Sequence, residues 1–247
     1  MNIKTGIVYG VLILILGIAW EYAAQSNTVR VLISSPSLIF KYFSNNLAPL
    51  SNAAWVTFME AFLGLFLATF FSFATMTLCF YFPKLMNYVL PIMVFSQVVP
   101  LITLAPLFII LFGVGLAAKI MMAALLCFFP IFVNFSNGIQ LISSNIHELS
   151  YIYNTTPTQK IKHIYFPLAL PNIMTGLKVA ATLAVIGAIV AEFNGAEFGL
   201  GKNLFLAAKR LEPELMMCSL AFSAFLGGFM YSLIFIIEKK LGRWYLN

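Results

Sequence analysis

Six stretches of this chain, residues 6–24, 52–82, 86–112, 116–138, 167–193 and 215–238, are almost wholly apolar. A helix crossing about 30 Å of hydrocarbon takes roughly 20 apolar residues, so each stretch is long enough to span a membrane. The runs are continuous and lack the dyad alternation of a membrane barrel. Composition closes off a water-soluble fold: 62% of the 247 residues are hydrophobic and 9% are charged, against about 25% charged in a soluble domain. The sequence predicts an all-α integral membrane protein of six transmembrane helices, forming a single domain over residues 1–247.

The spans differ in character. Residues 6–24 precede "EYAAQS", a passable cleavage site, but the length of the run and the interfacial pair Trp20 and Tyr22 favour a retained helix. The second span is longer than one crossing needs and should tilt or project. The third contains Pro91, Pro100 and Pro106. Proline removes a backbone donor, and broken helices survive in lipid only where protein or a wet cavity serves the freed groups. This span is therefore expected inside the bundle. In the polar linker 25–50, "SSPS" at 34–37 offers Ser35 as a helix cap and Pro36 for the first turn, and "LIFKYF" suggests a short interfacial helix.

Much chemistry is excluded. There is no aspartate, and the net charge of +6 forms no basic cluster of the kind that binds nucleic acid. Cys79, Cys127 and Cys218 each stand alone in apolar runs and read as small buried hydrophobes. His147 and His163 have no partner at metal-ligand spacing, so no metal site is expected. "GAEFGLGKN" at 195–203 imitates a phosphate loop, but Ala196 stands where the pattern needs glycine and Asn203 where it needs a hydroxyl for magnesium. No cofactor is expected in this chain. Two carboxylates, Glu60 and Glu192, lie within spans. Burying a charge there costs several kcal/mol, which marks both as functional candidates, with pairing to a basic loop residue as the plainer reading.

The largest polar insert, 139–166, carries the strongest signal. Ile146, Leu149, Ile152 and Tyr153 recur at helical spacing. Asn154 then interrupts, and asparagine tolerates the left-handed conformation. Thr155 or Thr156 can cap a second helix, Pro157 suits its first turn, and Ile161, Ile164 and Tyr165 form a new apolar stripe before Pro167 and Pro171. The insert predicts two amphipathic helices about a sharp turn, one face for the bundle and one for a partner.

This insert resembles the cytoplasmic loop of binding-protein-dependent ABC importer permeases, in which Glu-Ala-Ala, three residues and Gly precede a proline-containing helix entry. Glu148 matches the Glu, Asn154 occupies the Gly position, and Gln159, Ile161, Ile164, Pro167 and Pro171 match in turn. Leu149 and Ser150 replace the usual alanines. Beyond the insert, "AWEYAA", "SSPS", "VVPLITLAPLFIILFGVGLAAKI" and "AEFNGAEFGLGKNLFLAAKRLEPELM" resemble the nitrate/sulfonate/taurine-type branch, which also holds permeases for thiamine-precursor pyrimidines and riboflavin.

The resemblance implies a type I ABC importer permease with a cytoplasmic coupling helix between the fourth and fifth spans. Glu148, Leu149, Ser150, Asn154, Thr156, Pro157 and Gln159 would couple it to two ATP-binding subunits, which hold the ATP and Mg. A substrate-binding protein would deliver a small solute, a sulfonate- or nitrate-like anion or a vitamin precursor, and a second permease copy would complete the path. Gln97, Asn134, Asn137 and Glu192 are the candidate path residues, with hydrogen bonding between helices as their other role. The chain would sit in lipid at the plasma (inner) membrane. Basic residues divide evenly between the two faces, so it is the insert that assigns both termini to the cytoplasm. The competing reading is a secondary transporter driven by an ion gradient.

Overall fold

The computed structural model describes residues 15–24, 34–193 and 195–242, so much of the first expected span, 6–14, lies outside the described residues. Among those described, all regular structure is helical. In chain order the helices are α1 (Ile15–Ala24), α2 (Pro36–Asn45), α3 (Leu47–Tyr81), α4 (Pro83–Val98), α5 (Leu101–Phe112), α6 (Leu116–Gln140) and α7 (Ser144–Ile152), followed by α8 (Pro157–Lys160), α9 (Phe166–Glu192), α10 (Leu200–Arg210) and α11 (Pro213–Gly242). Helices α3, α6, α9 and α11 are each long and apolar enough to cross a membrane. At 35 residues, α3 exceeds one crossing, as its apolar run predicts.

The core lies where α6 and α9 cross, with α3 packed on both. Its chemistry is that of small residues. Ala180, Ala181, Ala184 and Ala188 are fully buried opposite Ala123, Cys127 and Ile131. A side-chain carbon on Gly176 would sit 2.7 Å from the Pro130 carbonyl oxygen, and one on Gly187 would sit 2.7 Å from Ala123 Cα. Lipid gives apolar helices no reason to leave it for one another, so close backbone approach and interhelical hydrogen bonds must do so. Two such bonds are the Ser72 hydroxyl to the Phe128 carbonyl at 3.2 Å and the Cys127 thiol to the Ala180 carbonyl at 3.2 Å. All three cysteines are free and buried.

The third span is broken, as its prolines require. Helix α4 ends at Val98, α5 starts beyond Pro100, and the two meet at 111°. The break lies within a crossing, because α3 ends on the side of the 141–165 insert and α6 begins on the opposite side. One expectation needs correction: this span does not lie inside the bundle formed by the chain. It lies at the periphery, with no residue of α4 buried and Phe95, Val98 and Ile110 each more than 70% exposed. Three prolines can break a helix, but they carry no information about whether the covering protein belongs to the same chain.

The "SSPS" segment starts a helix, by a different device from the one expected. Ser35 holds the N-cap position and Pro36 the first turn, but the Ser35 hydroxyl pairs with that of Ser37 at 3.0 Å. Glu21 accepts instead, from the Ser37 hydroxyl at 2.7 Å and from its N–H at 3.1 Å. The Ser34 hydroxyl donates to Glu214 at 2.7 Å, tying the start of α2 to that of α11.

Candidate functional site

Two polar assemblies stand at opposite ends of α9. At one end the insert folds as helix, turn and helix. Asn154 adopts φ 48°, the left-handed conformation that its residue type allows at low cost. The turn closes on Ser150, whose carbonyl accepts the Thr155 N–H at 3.1 Å and the Thr155 hydroxyl at 2.9 Å. Thr156 caps α8 in a capping box: Gln159 N–H donates to the Thr156 hydroxyl oxygen, and the Gln159 amide oxygen accepts the Thr156 N–H at 2.9 Å. Pro157 occupies the first turn. A π turn, Ile161–Tyr165, follows. Pro167 has no N–H to offer, and the last bond before it runs from Phe166 N–H five residues back to the Ile161 carbonyl.

The second limb is tied to the end of α3. Tyr81 and Thr158 hydroxyls lie 3.0 Å apart, and the Phe80 and Tyr165 rings meet at 4.8 Å between centroids. Among the described residues, the first limb has no extensive packing with any span. Ser150 is buried, but Glu148 is exposed and Leu149, Tyr151, Ile152 and Tyr153 are 51%, 84%, 74% and 76% exposed. Contiguous apolar surface of this kind on a polar loop marks an interaction face.

At the other end a cluster of ionisable groups is buried within the chain. Glu60 on α3 pairs with Lys119 on α6 at 2.6 Å, and Glu60 and Glu192 are each 1% exposed. Glu192 accepts the Thr57 hydroxyl at 2.7 Å and the Gly201 N–H, while Leu200 N–H donates to Thr57 Oγ1 at 2.9 Å. The Glu60 and Glu192 carboxylates interact, and the second Glu60 oxygen has no donor among the described residues. A cavity of about 300 Å³ opens beside them, its lining including Glu60, Lys119, Glu197 and Phe198.

The phosphate-loop look-alike therefore does hold an acidic group, and that group is the chain's own Glu192 carboxyl. A side-chain carbon on Gly199, at φ 132°, would fall on the Glu192 carboxylate, and one on Gly201 would strike it and the Ile189 carbonyl. A helix N-terminus attracts negative charge whether it comes from phosphate or from a side chain.

The path candidates do not converge. Gln97, two residues before the break in the third span, and Asn137 are exposed. Asn134 is half-buried and donates to the Pro130 carbonyl at 2.7 Å beside Gly176. Glu192 is committed to the cluster just described. Sequence reasoning passed over Lys178, inside the fifth span, which pairs with Glu238 at 2.8 Å. A lysine in an apolar run needs a counter-charge, and that requirement was the available signal.

The profile of the family described as "Binding-protein-dependent transport system inner membrane component" matches residues 63–244. A probable ABC transporter permease protein of Haemophilus influenzae is 30% identical over 219 residues, 88% of this chain and 88% of that protein. The formylaminopyrimidine transport permease protein ThiX of Halalkalibacterium halodurans is 35% identical over 193 residues, 76% of each. Among solved structures, an inward-facing MetNI methionine ABC transporter matches with a TM-score of 0.70 over 78% of this chain and 96% of that one, at 19% identity, a likeness of fold. The helical membrane fold, the broken third span and the match over residues 63–244 agree: the chain belongs to the binding-protein-dependent inner membrane components, the permeases of ABC transporters.

Proposed function

We propose that the chain is the permease subunit of an ATP-driven importer and that its 141–165 hairpin seats in a separate cytoplasmic ATP-binding subunit. The observation that carries this reading is the unpacked first limb, which turns Leu149, Tyr151, Ile152 and Tyr153 away from the spans. Glu148 and Asn154 set the charge and the turn of the docking element, and Thr156, Pro157 and Gln159 fix its second limb. Two ATP-binding subunits hold the ATP and Mg. A second copy of the chain covers the peripheral broken span and completes the path, to which Gln97 and Asn137 contribute exposed polar groups. A binding protein delivers the solute at the opposite face, and both termini lie in the cytoplasm. Closure of the ATPases rocks the spans between inward and outward states.

Lys119 on α6 and Lys178 on α9 are already paired with carboxylates, leaving neither to hold an anion. This favours a neutral heterocycle, the class to which the ThiX substrate belongs, over sulfonate or nitrate. An ion-gradient transporter is the second reading, and the buried Glu60–Lys119–Glu192 cluster is what favours it. Purification from native membranes separates the two. The importer reading expects an ATPase to co-purify with the chain and to be lost with Glu148→Arg while the permease stays in the membrane. Transport that survives without any ATPase and collapses with the ion gradient would sink it.

A further inference from the structure

From Pro157 to Glu192 the chain is one unbroken helical run of 36 residues, through α8, the π turn and α9. At 1.5 Å per residue it is roughly 50 Å long. One end of this rod belongs to the hairpin. The other end is the Glu192 carboxylate, which grips α10.

The first amides of a helix have no acceptor within it. Two such amides of α10 are served from outside: Leu200 N–H by the Thr57 hydroxyl on α3 and Gly201 N–H by Glu192 on α9, with Thr57 and Glu192 bonded to each other. Leu200, Leu204 and Ala207 bury the inner face of α10. Leu211, at φ 56°, ends the helix, and Pro213 opens α11. Phe205, Lys209, Arg210 and Leu211 are exposed on its far side. The buried stripe of α10 faces the bundle, and its exposed side carries Lys209 and Arg210 beside Phe205 and Leu211, a mixed cationic and apolar face that suits a protein surface bearing acidic groups.

We propose that Thr57, Glu192 and the amides of Leu200 and Gly201 form a latch that makes α10 move as one body with α9, so that a protein docked on α10 acts directly on the hairpin. Thr57 and Glu192 are positioning residues in this scheme. Without the latch, α10 keeps its apolar packing on the bundle and on α11 but loses its polar tie to α9, so that the short 193–199 connection, which includes Gly195 at φ 109°, absorbs a push on α10. The inference rests on the importer reading above and deepens it by naming how an extracytoplasmic signal crosses the membrane.

The test uses the assembled permease–ATPase complex in liposomes, with ATPase activity measured with and without saturating binding protein. Thr57→Val keeps the shape and removes the hydroxyl. It is expected to hold the basal rate within about twofold and to cut stimulation at least about fivefold, and Thr57→Ser is expected to restore it. Hydrogen exchange supplies a reading on the wild type alone: the Leu200 and Gly201 amides should be as protected as the last turn of α9. Stimulation of Thr57→Val equal to wild type, failure of Thr57→Ser to restore it, or loop-like exchange at Leu200 and Gly201 each overturns the latch. A wild-type complex that the binding protein does not stimulate overturns the importer reading itself.

Discussion

The two polar assemblies flanking α9 solve opposite problems. The 193–211 loop folds over an acidic group: Glu192, at the end of α9, is 1% exposed and has donors from α3 and α10. The 141–165 hairpin exposes apolar surface: Tyr151, Ile152 and Tyr153 are each more than 70% exposed, while its polar groups bond mainly to one another. Fully burying one large apolar side chain is worth about 1.5–3 kcal/mol, so the hairpin forgoes several such contributions. The loop is complete within one chain. The hairpin makes its turn and its cap from its own residues, its second limb is tied to α3, and its first limb stands exposed.

The sharpest way to break this comparison is to remove the cation that Lys119 supplies to the buried cluster. In Lys119→Met, Glu60 loses its ammonium partner and is left buried beside Glu192. Breaking a buried pair costs about 3–5 kcal/mol. The thermal midpoint of the detergent-purified protein should fall steeply, and Glu60→Gln in the same chain should recover most of the loss. A Lys119→Met protein as stable as wild type would mean that the cluster is not closed, and the contrast with the hairpin would go.

How much of this was legible beforehand follows the range of each interaction. The hairpin was readable because its determinants are local: Asn154 at the turn, Thr156 and Pro157 at the cap, and Gln159 three residues on. The long spans were readable because hydrocarbon thickness sets their length. The buried cluster was not, because Glu60 and Lys119 are 59 residues apart and Glu192 is farther still, and apolar sequence between them says nothing about which helices cross. Lys178 and Glu238 went unpaired for the same reason. "GAEFGLGKN" was rightly rejected as a nucleotide loop, but its glycines were left without a role until Glu192 was seen lying against them.

A smaller effect sharpens the hairpin side. Asn154 at φ 48° tolerates a conformation that costs most L-residues about 1–2 kcal/mol. Asn154→Val should shift the hairpin away from its docked shape and lower the transport rate by a factor of about 5–30, with unchanged amounts of protein in the membrane. Asn154→Gly should transport like wild type, since glycine enters the left-handed region freely. If valine transports normally, the turn is not what presents the first limb.

The smallest effect tests whether the hairpin keeps its shape from within. The Thr156–Gln159 box serves α8, a helix of one turn, and α8 runs on through the π turn into the buried α9. Thr156→Ala removes a cap worth about 1 kcal/mol. The remainder of the rod is held by packing against α6, so the loss should stay local. Hydrogen exchange at the Gln159 amide should rise about fivefold, while exchange along α9 and the thermal midpoint barely move. Thr156→Ser should behave as wild type, and Gln159→Glu should too, because glutamate completes the same box. If Thr156→Ala instead loosens α9 as a whole, the hairpin and the span share one cooperative unit, and the hairpin owes its shape to the bundle in the same way as the loop at the far end.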